Sequence, residues 1–138
     1  MISTIEPVIN HLSLPSKTNS LLILEKWINS ICDTFSISEE QYGNILIAVT
    51  EAVNNAIIHG NKSELEKNAF VKYLYKDNLI IFCVKDEGSG FDFENLPDPT
   101  DPKNIEEPQG RGVFLMKHLS DEITYEEPGN SVELVFQL

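Results

Sequence analysis

The stretch Glu51-Ala52-Val53-Asn54-Asn55-Ala56-Ile57-Ile58-His59-Gly60-Asn61 closes a longer helical pattern. That pattern opens at Ser38-Glu39-Glu40-Gln41, a capping box: a hydroxyl for an orphan N–H, with a glutamine three residues on. Ile45, Ala48, Val49, Ala52, Val53, Ala56 and Ile57 then recur at helical spacing as one apolar stripe. The spacing predicts a helix from Ser38 to His59, stopped by Gly60. Glu51, Asn55 and His59 follow one another at i, i+4, i+8 and share one edge of it, bordering the apolar stripe. A carboxylate and an amide at the margin of a core are costly unless they are paired or put to use. The pattern leaves two readings open. One is a solvated helix edge. In the other, Glu51 and Asn55 reach one shared point, where an amide oxygen suits Mg2+ and a carboxylate can accept a proton from an attacking hydroxyl.

Upstream, His11-Leu12-Ser13-Leu14 reads as a short strand closed by Pro15, with Ser16 as the N-cap of a helix from Lys17 to Phe35. Its apolar positions are Leu21, Leu22, Leu24, Trp27, Ile28 and Ile31. Downstream, Ala69–Tyr75 and Asn78–Lys85 form a hairpin about the turn Lys76-Asp77-Asn78. Leu79 to Val84 is continuously apolar and predicts an interior strand buried on both faces. Directly after it stands Asp86-Glu87-Gly88-Ser89-Gly90-Phe91. It is either a plain turn or a strand-end carboxylate facing a pocket, with glycines that let the backbone approach a flat ligand.

Pro97, Pro99, Pro102 and Pro108 fall in one window flanked by Gly88/Gly90 and Gly110/Gly112. No periodicity runs between the glycine pairs, so the window reads as a loop of about eighteen residues, a length usually tied to function. Prolines stiffen it and glycines articulate its ends, the composition of a lid over about 92–109. Gly110-Arg111-Gly112 opens a helix expected over Val113–Leu119, and Arg111 is the chain's only arginine. It is either a hinge with a solvated cation or a helix N-terminus built for phosphate. Strands near Asp121–Glu126 and Ser131–Leu138 close the chain about Pro128-Gly129-Asn130. The element order predicts an α+β two-layer sandwich, a mixed and mostly antiparallel sheet with helices on one face, as a single domain over 1–138.

The charge balance narrows the function. Twenty-two acids against ten Lys+Arg give a formal net charge of −12. A nucleic-acid binder needs cations to displace phosphate counterions, and an anionic membrane surface needs them too; neither partner is expected. Basic protein partners suit the surface. No apolar run is long enough for a membrane span, and the start of the chain lacks a signal-peptide pattern, so a cytoplasmic location is expected. Cys32 and Cys83 are expected to be reduced, buried and structural. There is no G-x-x-x-x-G-K-[ST] loop, Phe93 stands where a third dinucleotide-loop glycine would be, and the histidines and cysteines lack metal-ligand spacing.

Taken in order, Glu51 to Asn61, Asp86 to Phe91 and Gly110 to Met116 resemble the N-box and the two glycine boxes of the histidine-kinase-like ATPase superfamily, within it the stand-alone anti-sigma-factor serine/threonine kinases. The resemblance runs from about His11 to Leu138 and implies a Bergerat-type ATP-binding fold. It implies ATP between the second helix and the lid. Asn55 would ligate Mg2+, Asp86 would bind the adenine amine, and Glu51 would be the general base. His59, Gly88, Gly90, Gly110, Arg111 and Gly112 would complete the cofactor site. The implied partners are a STAS-type anti-sigma-factor antagonist, phosphorylated on Ser or Thr, and a sigma factor sequestered by a kinase homodimer. The exposed face of the first strand and first helix is the expected partner contact. No phosphoacceptor-histidine helix precedes the domain, so a complete sensor histidine kinase is not expected. The segment Asp92–Gln109 holds six acids and only Lys103 as a cation, which leaves a competing reading: a nucleotide-gated binding module without useful kinase turnover.

Overall fold

A computed structural model describes residues 8–90, 108–126 and 128–138, with backbone alone for 108–111. The elements run β1 (Val8–Pro15), α1 (Ser20–Thr34), α2 (Glu39–Asn55), a π-helical turn (Ala56–Gly60), β2 (Asn68–Lys76), β3 (Leu79–Lys85), α3 (Pro108–Leu119), β4 (Glu122–Glu126) and β5 (Ser131–Gln137). The sheet order is β1-β2-β3-β5-β4. Every pairing described is antiparallel, so the expected mixed sheet is a fully antiparallel one among the described residues. Short hairpin connections suffice for β2–β3 and β4–β5, and such connections impose the antiparallel sense.

The helices cover one face. Val71, Tyr73, Ile80, Phe82, Val84, Val132, Leu134 and Phe136 point into that layer and are buried. They meet the predicted α2 stripe, Ile45, Ala48, Val49, Ala52, Val53, Ala56 and Ile57, buried throughout. Trp27 of α1 meets Tyr73 and Phe82 edge-on, with centroids 5.6 and 6.3 Å apart, an arrangement the ring quadrupoles favour. β3 is central, but it is buried on one face only: Leu79, Ile81 and Cys83 are half-buried on the other. The two-sided burial expected of its apolar run fails because no described helix covers that second face. For the same reason Cys83 is half-buried rather than buried, while Cys32 is in the core; both thiols are free.

Local chemistry explains most of the boundaries. Ser38 is extended and its Oγ accepts the Gln41 backbone N–H at 3.2 Å, capping α2 as predicted. The Gln41 side chain leaves the capping box and donates to the Gln137 carbonyl at 2.8 Å. Asp77 and Asn78 both take positive φ, 52° and 62°, as a two-residue hairpin turn of the twist-matching hand requires. α1 starts later than expected, with Asn19 rather than Ser16 at its N-cap. Ser16 is instead buried and donates to the Lys67 carbonyl at 2.6 Å. Leu22, counted in the α1 stripe, is 63% exposed. α3 begins at Pro108, five residues before the expected Val113. Proline at a first helical position lacks only an N–H that would have no helical partner there. Among the described residues no helix is long and apolar enough to cross a membrane.

Candidate functional site

α2, the π-helical turn, the end of β3, α3 and the β4–β5 end of the sheet enclose a pocket. Its apolar lining comes from Ala52, Ala56, Val84, Met116 and Val132; its polar lining includes Asn55, His59, Asp86, Tyr125 and Asn130. Of the residues singled out in the sequence, Asn55, His59, Asp86 and Gly90 line this one pocket. Gly88 lies against its edge through Gly60 and Asp86.

Glu51 and Asn55 are half-buried, and α3 brings Gly112 onto both. A Cβ at Gly112 would stand 2.9 Å from Glu51 Oε2 and 3.2 Å from Asn55 Nδ2. One point therefore does touch both side chains, as the i, i+4 spacing predicts. The absence of a side chain at residue 112 is what lets α3 pack this closely on both. His59 shares the pocket but not the helical edge with them. The chain makes a π turn over Ala56–Gly60, closed by the Asn61 N–H on the Ala56 carbonyl at 2.8 Å. A π turn inserts a residue into the helical ladder and is frequent at functional sites.

Asp86 is 8% exposed. Its Oδ1 accepts the Gly88 backbone N–H at 2.8 Å. Burial pushes its carboxyl above the ordinary range, opposed by that hydrogen bond and by the charge of Lys67. A Cβ at Gly60 would fall on the Asp86 carboxylate, and one at Gly88 on the Gly60 carbonyl. The backbone thus approaches Asp86 from two sides at van der Waals range. Gly90 has φ 93°, open to glycine, and packs against the Pro128 carbonyl.

Several contributors were not singled out as site residues in the sequence. Asn61 is fully buried; its Oδ1 accepts the Glu87 N–H at 2.8 Å and its Nδ2 donates to Ser16 Oγ at 2.9 Å. Asn130 brackets Asp86 from the other side: its carbonyl accepts the Asp86 N–H at 2.9 Å, and its Nδ2 donates to the Asp86 carbonyl at 3.3 Å. Tyr125 lines the pocket, and burial raises its phenol above the ordinary value.

Gly110 and Gly112 lie in the first and second turns of α3, rather than ahead of the helix. The backbone N–H groups of Gln109 and Gly110 fall among those that a helix start leaves without helical partners. The Arg111 side chain and the lid over 92–107 lie outside the described residues.

The donor set can be tested against the expected groups. A partly apolar pocket with one buried carboxylate acceptor, Asp86, suits an aromatic base that carries an amine. Among the described residues no group of three or more His, Cys, Asp or Glu could hold a metal by itself. Asn55, which lines the pocket, and Glu51 one turn before it each carry an oxygen ligand, which fits Mg2+ held by few protein ligands and completed by phosphate oxygens and water.

Residues 14–136 match a family model described as the histidine kinase-like ATPase domain. The chain is 29% identical over 118 residues to the serine-protein kinase RsbW of Bacillus cereus strain Q1, covering 81% of this chain and 73% of that protein. It is 28% identical over 118 residues to the RsbW of Bacillus anthracis strain CDC 684 / NRRL 3495, with the same coverage. The crystal structure of the RsbU and RsbW domains of Rv1364c from Mycobacterium tuberculosis superposes with a TM-score of 0.68 at 17% identity, over 97% of this chain. This chain spans about a third (32%) of that longer one.

Proposed function

The chain belongs to the histidine kinase-like ATPase domain family, and from that premise we propose that it is an ATP-dependent protein serine/threonine kinase. Its substrate in this reading is a STAS-type anti-sigma-factor antagonist, and as a homodimer it also holds a sigma factor. The exposed Leu22 and Ile23 on α1 suit the expected partner contact. The observation that carries the kinase reading is that Asn55 and the buried Asp86 line one pocket, while Gly112 of α3 packs closely on both Asn55 and Glu51. The kinase name of the relatives supports it.

In this reading Asp86 accepts a hydrogen bond from the adenine amine, and the apolar walls at Ala52, Val84 and Met116 hold the ring. The N-terminal amides of α3 face the phosphates, where the helix dipole favours anions. Asn55 Oδ1 would hold Mg2+, which would supply neutralisation of phosphate charge when bound. Glu51 accepts the proton of the acceptor hydroxyl as its oxygen bonds to the γ-phosphorus and the bond to ADP breaks. Catalysis is then mostly positioning, and pocket rigidity matters.

Replacing Glu51 by Gln tests the assignment. It preserves shape and hydrogen bonding but removes the base. Phosphoryl transfer to a STAS-type acceptor, read by mass spectrometry, should fall by at least 100-fold, at the lower end for lost general-base catalysis. MgATP affinity, read by calorimetry, should change less than threefold. Equal loss of both would refute the role. The six acids of Asp92–Gln109 favour a second reading, a nucleotide-gated binder. Partner capture by wild-type protein with no phosphate added would select it.

A further inference from the structure

Three strands carry one wall of the pocket in a single register. Val84 of β3 pairs with Val132 of β5, and Val132 pairs with Tyr125 of β4. The three side chains stand in one row on the face that the helices cover, and all three line the pocket. Val84 and Val132 are short, and Ala52 and Ala56, which line the pocket from the helical layer, are shorter still. Tyr125 ends the row with a large ring. Among the described residues that line the pocket it is the one Phe, Tyr or Trp. Burial raises its phenol above the ordinary range, so the wall it presents is aromatic and neutral. Asp86 lies two residues beyond Val84, just past the end of β3. The pocket thus has its carboxylate at one end and its ring at the other. β5 lies between β3 and β4, so two strand spacings of about 4.8 Å each separate their backbones.

Asp86 alone leaves the choice of base incomplete. Adenine presents an exocyclic amine beside a ring nitrogen that accepts, and cytosine presents the same pair. A carboxylate that takes the amine can therefore take either base. The two differ in reach: adenine carries a second, fused ring, and cytosine stops after one. With its amine on Asp86, a purine extends across Val84 and Val132 to Tyr125. A pyrimidine leaves a gap in front of the ring, and a wall that faces a gap forfeits its dispersion contacts. We propose that Tyr125 selects a purine over a pyrimidine, its ring packing on the far part of the base whose amine Asp86 holds. The inference rests on the ATP-binding reading above and adds a second determinant to it: Asp86 reads the amine, and Tyr125 reads the length of the base.

The test is calorimetry of the full chain with MgATP and MgCTP, and with magnesium tripolyphosphate as the ligand that has no base. Wild-type protein should prefer ATP to CTP. Tyr125→Ala should weaken ATP binding roughly tenfold, the size of one aromatic contact, and leave CTP and tripolyphosphate within about twofold. The preference for ATP over CTP then shrinks by the same factor. Tyr125→Phe should keep the wild-type preference, because the ring and not the hydroxyl makes the contact. Tyr125→Val, a residue that suits a strand, should repeat the alanine result and covers the case in which alanine unsettles the edge strand. Equal weakening of all three ligands would mean that the pocket has merely loosened, and would overturn the assignment. An ATP-over-CTP preference indifferent to both truncations would overturn it too and leave the ATP-binding reading standing. Wild-type protein that binds neither nucleotide would overturn both.

Discussion

The side-chain carbonyl of Asn61 accepts the backbone N–H of Glu87 at 2.8 Å, and so ties the end of the π turn to the strand-end loop that carries Asp86. Its amide also donates to Ser16 Oγ, which donates to the Lys67 carbonyl. One buried residue thus holds together the end of β1, the approach to β2 and the floor of the pocket. Asn61→Ala leaves the Glu87 N–H without that acceptor in a part-buried setting, at a cost of about 2 kcal/mol. The thermal midpoint should fall by several degrees, on the order of 4 °C per kcal/mol for a chain of this size. Discrimination between adenine and guanine nucleotides should fall with it, because Asp86 loses its anchor. A midpoint unchanged within 1 °C would remove Asn61 from this role.

Two glycines make a paired prediction. A Cβ at Gly88 meets the backbone carbonyl of Gly60, which cannot yield without moving the π turn. A Cβ at Gly112 meets the far ends of the Glu51 and Asn55 side chains, which can swing away. Gly88→Ala should therefore cost about 1–3 kcal/mol, as overpacking does. Gly112→Ala should be near neutral in denaturant titration, since alanine in a helix gains up to about 1 kcal/mol over glycine. Its effect should appear in function, because Glu51 and Asn55 are displaced: transfer and MgATP affinity both fall. Equal destabilisation by the two variants would contradict the geometry.

What could be read in advance followed range. The α2 stripe was legible because Ile45 through Ile57 obey one local period, and the β2–β3 hairpin because Asp77 and Asn78 tolerate positive φ. The shared point of Glu51 and Asn55 was legible for the same reason; that Gly112 is what touches it was not. The π turn has no periodic signature, since it forms where Gly60 packs on Asp86 and under Gly88. Asn61 acts on residues 26 and 45 positions away, beyond any local pattern. The start of α3 was missed because Gly110 and Gly112 read as breakers, although Pro108 is well suited to a first helical position. Burial on one face of β3 could not be told from burial on both, because a continuous apolar run fits either.

The two thiols should separate chemically. Burial, aided by the charge of Asp33, pushes the Cys32 thiol up to about 11, so its thiolate is scarce near neutral pH. Iodoacetamide at about pH 8 should leave Cys32 unmodified in native protein and alkylate it once urea is added. Peptide mapping by mass spectrometry reads the difference. Rapid native labelling would mean that the α1 core opens readily.

Asp86 joins stability to function with opposite signs. Its folded carboxyl titrates above the ordinary 3.8, chiefly because burial penalises the charge. Between those two values the native state binds a proton that the unfolded chain releases. Stability therefore falls as pH rises through that window, and the penalty persists above it. Asp86→Asn removes the charge while its Oδ1 can still accept the Gly88 N–H. Without nucleotide, the variant should melt at or above the wild-type temperature near pH 7, and the difference should close as pH drops below about 4, where both side chains are neutral. With adenine nucleotide the order should reverse. The amide presents a donor where the amine needs an acceptor, so the wild type gains a ligand-induced rise in melting temperature and the variant does not. A variant less stable than wild type near pH 7, with the deficit closing below about pH 4, would show that the ionised carboxylate is a net stabiliser, and the burial argument would fail.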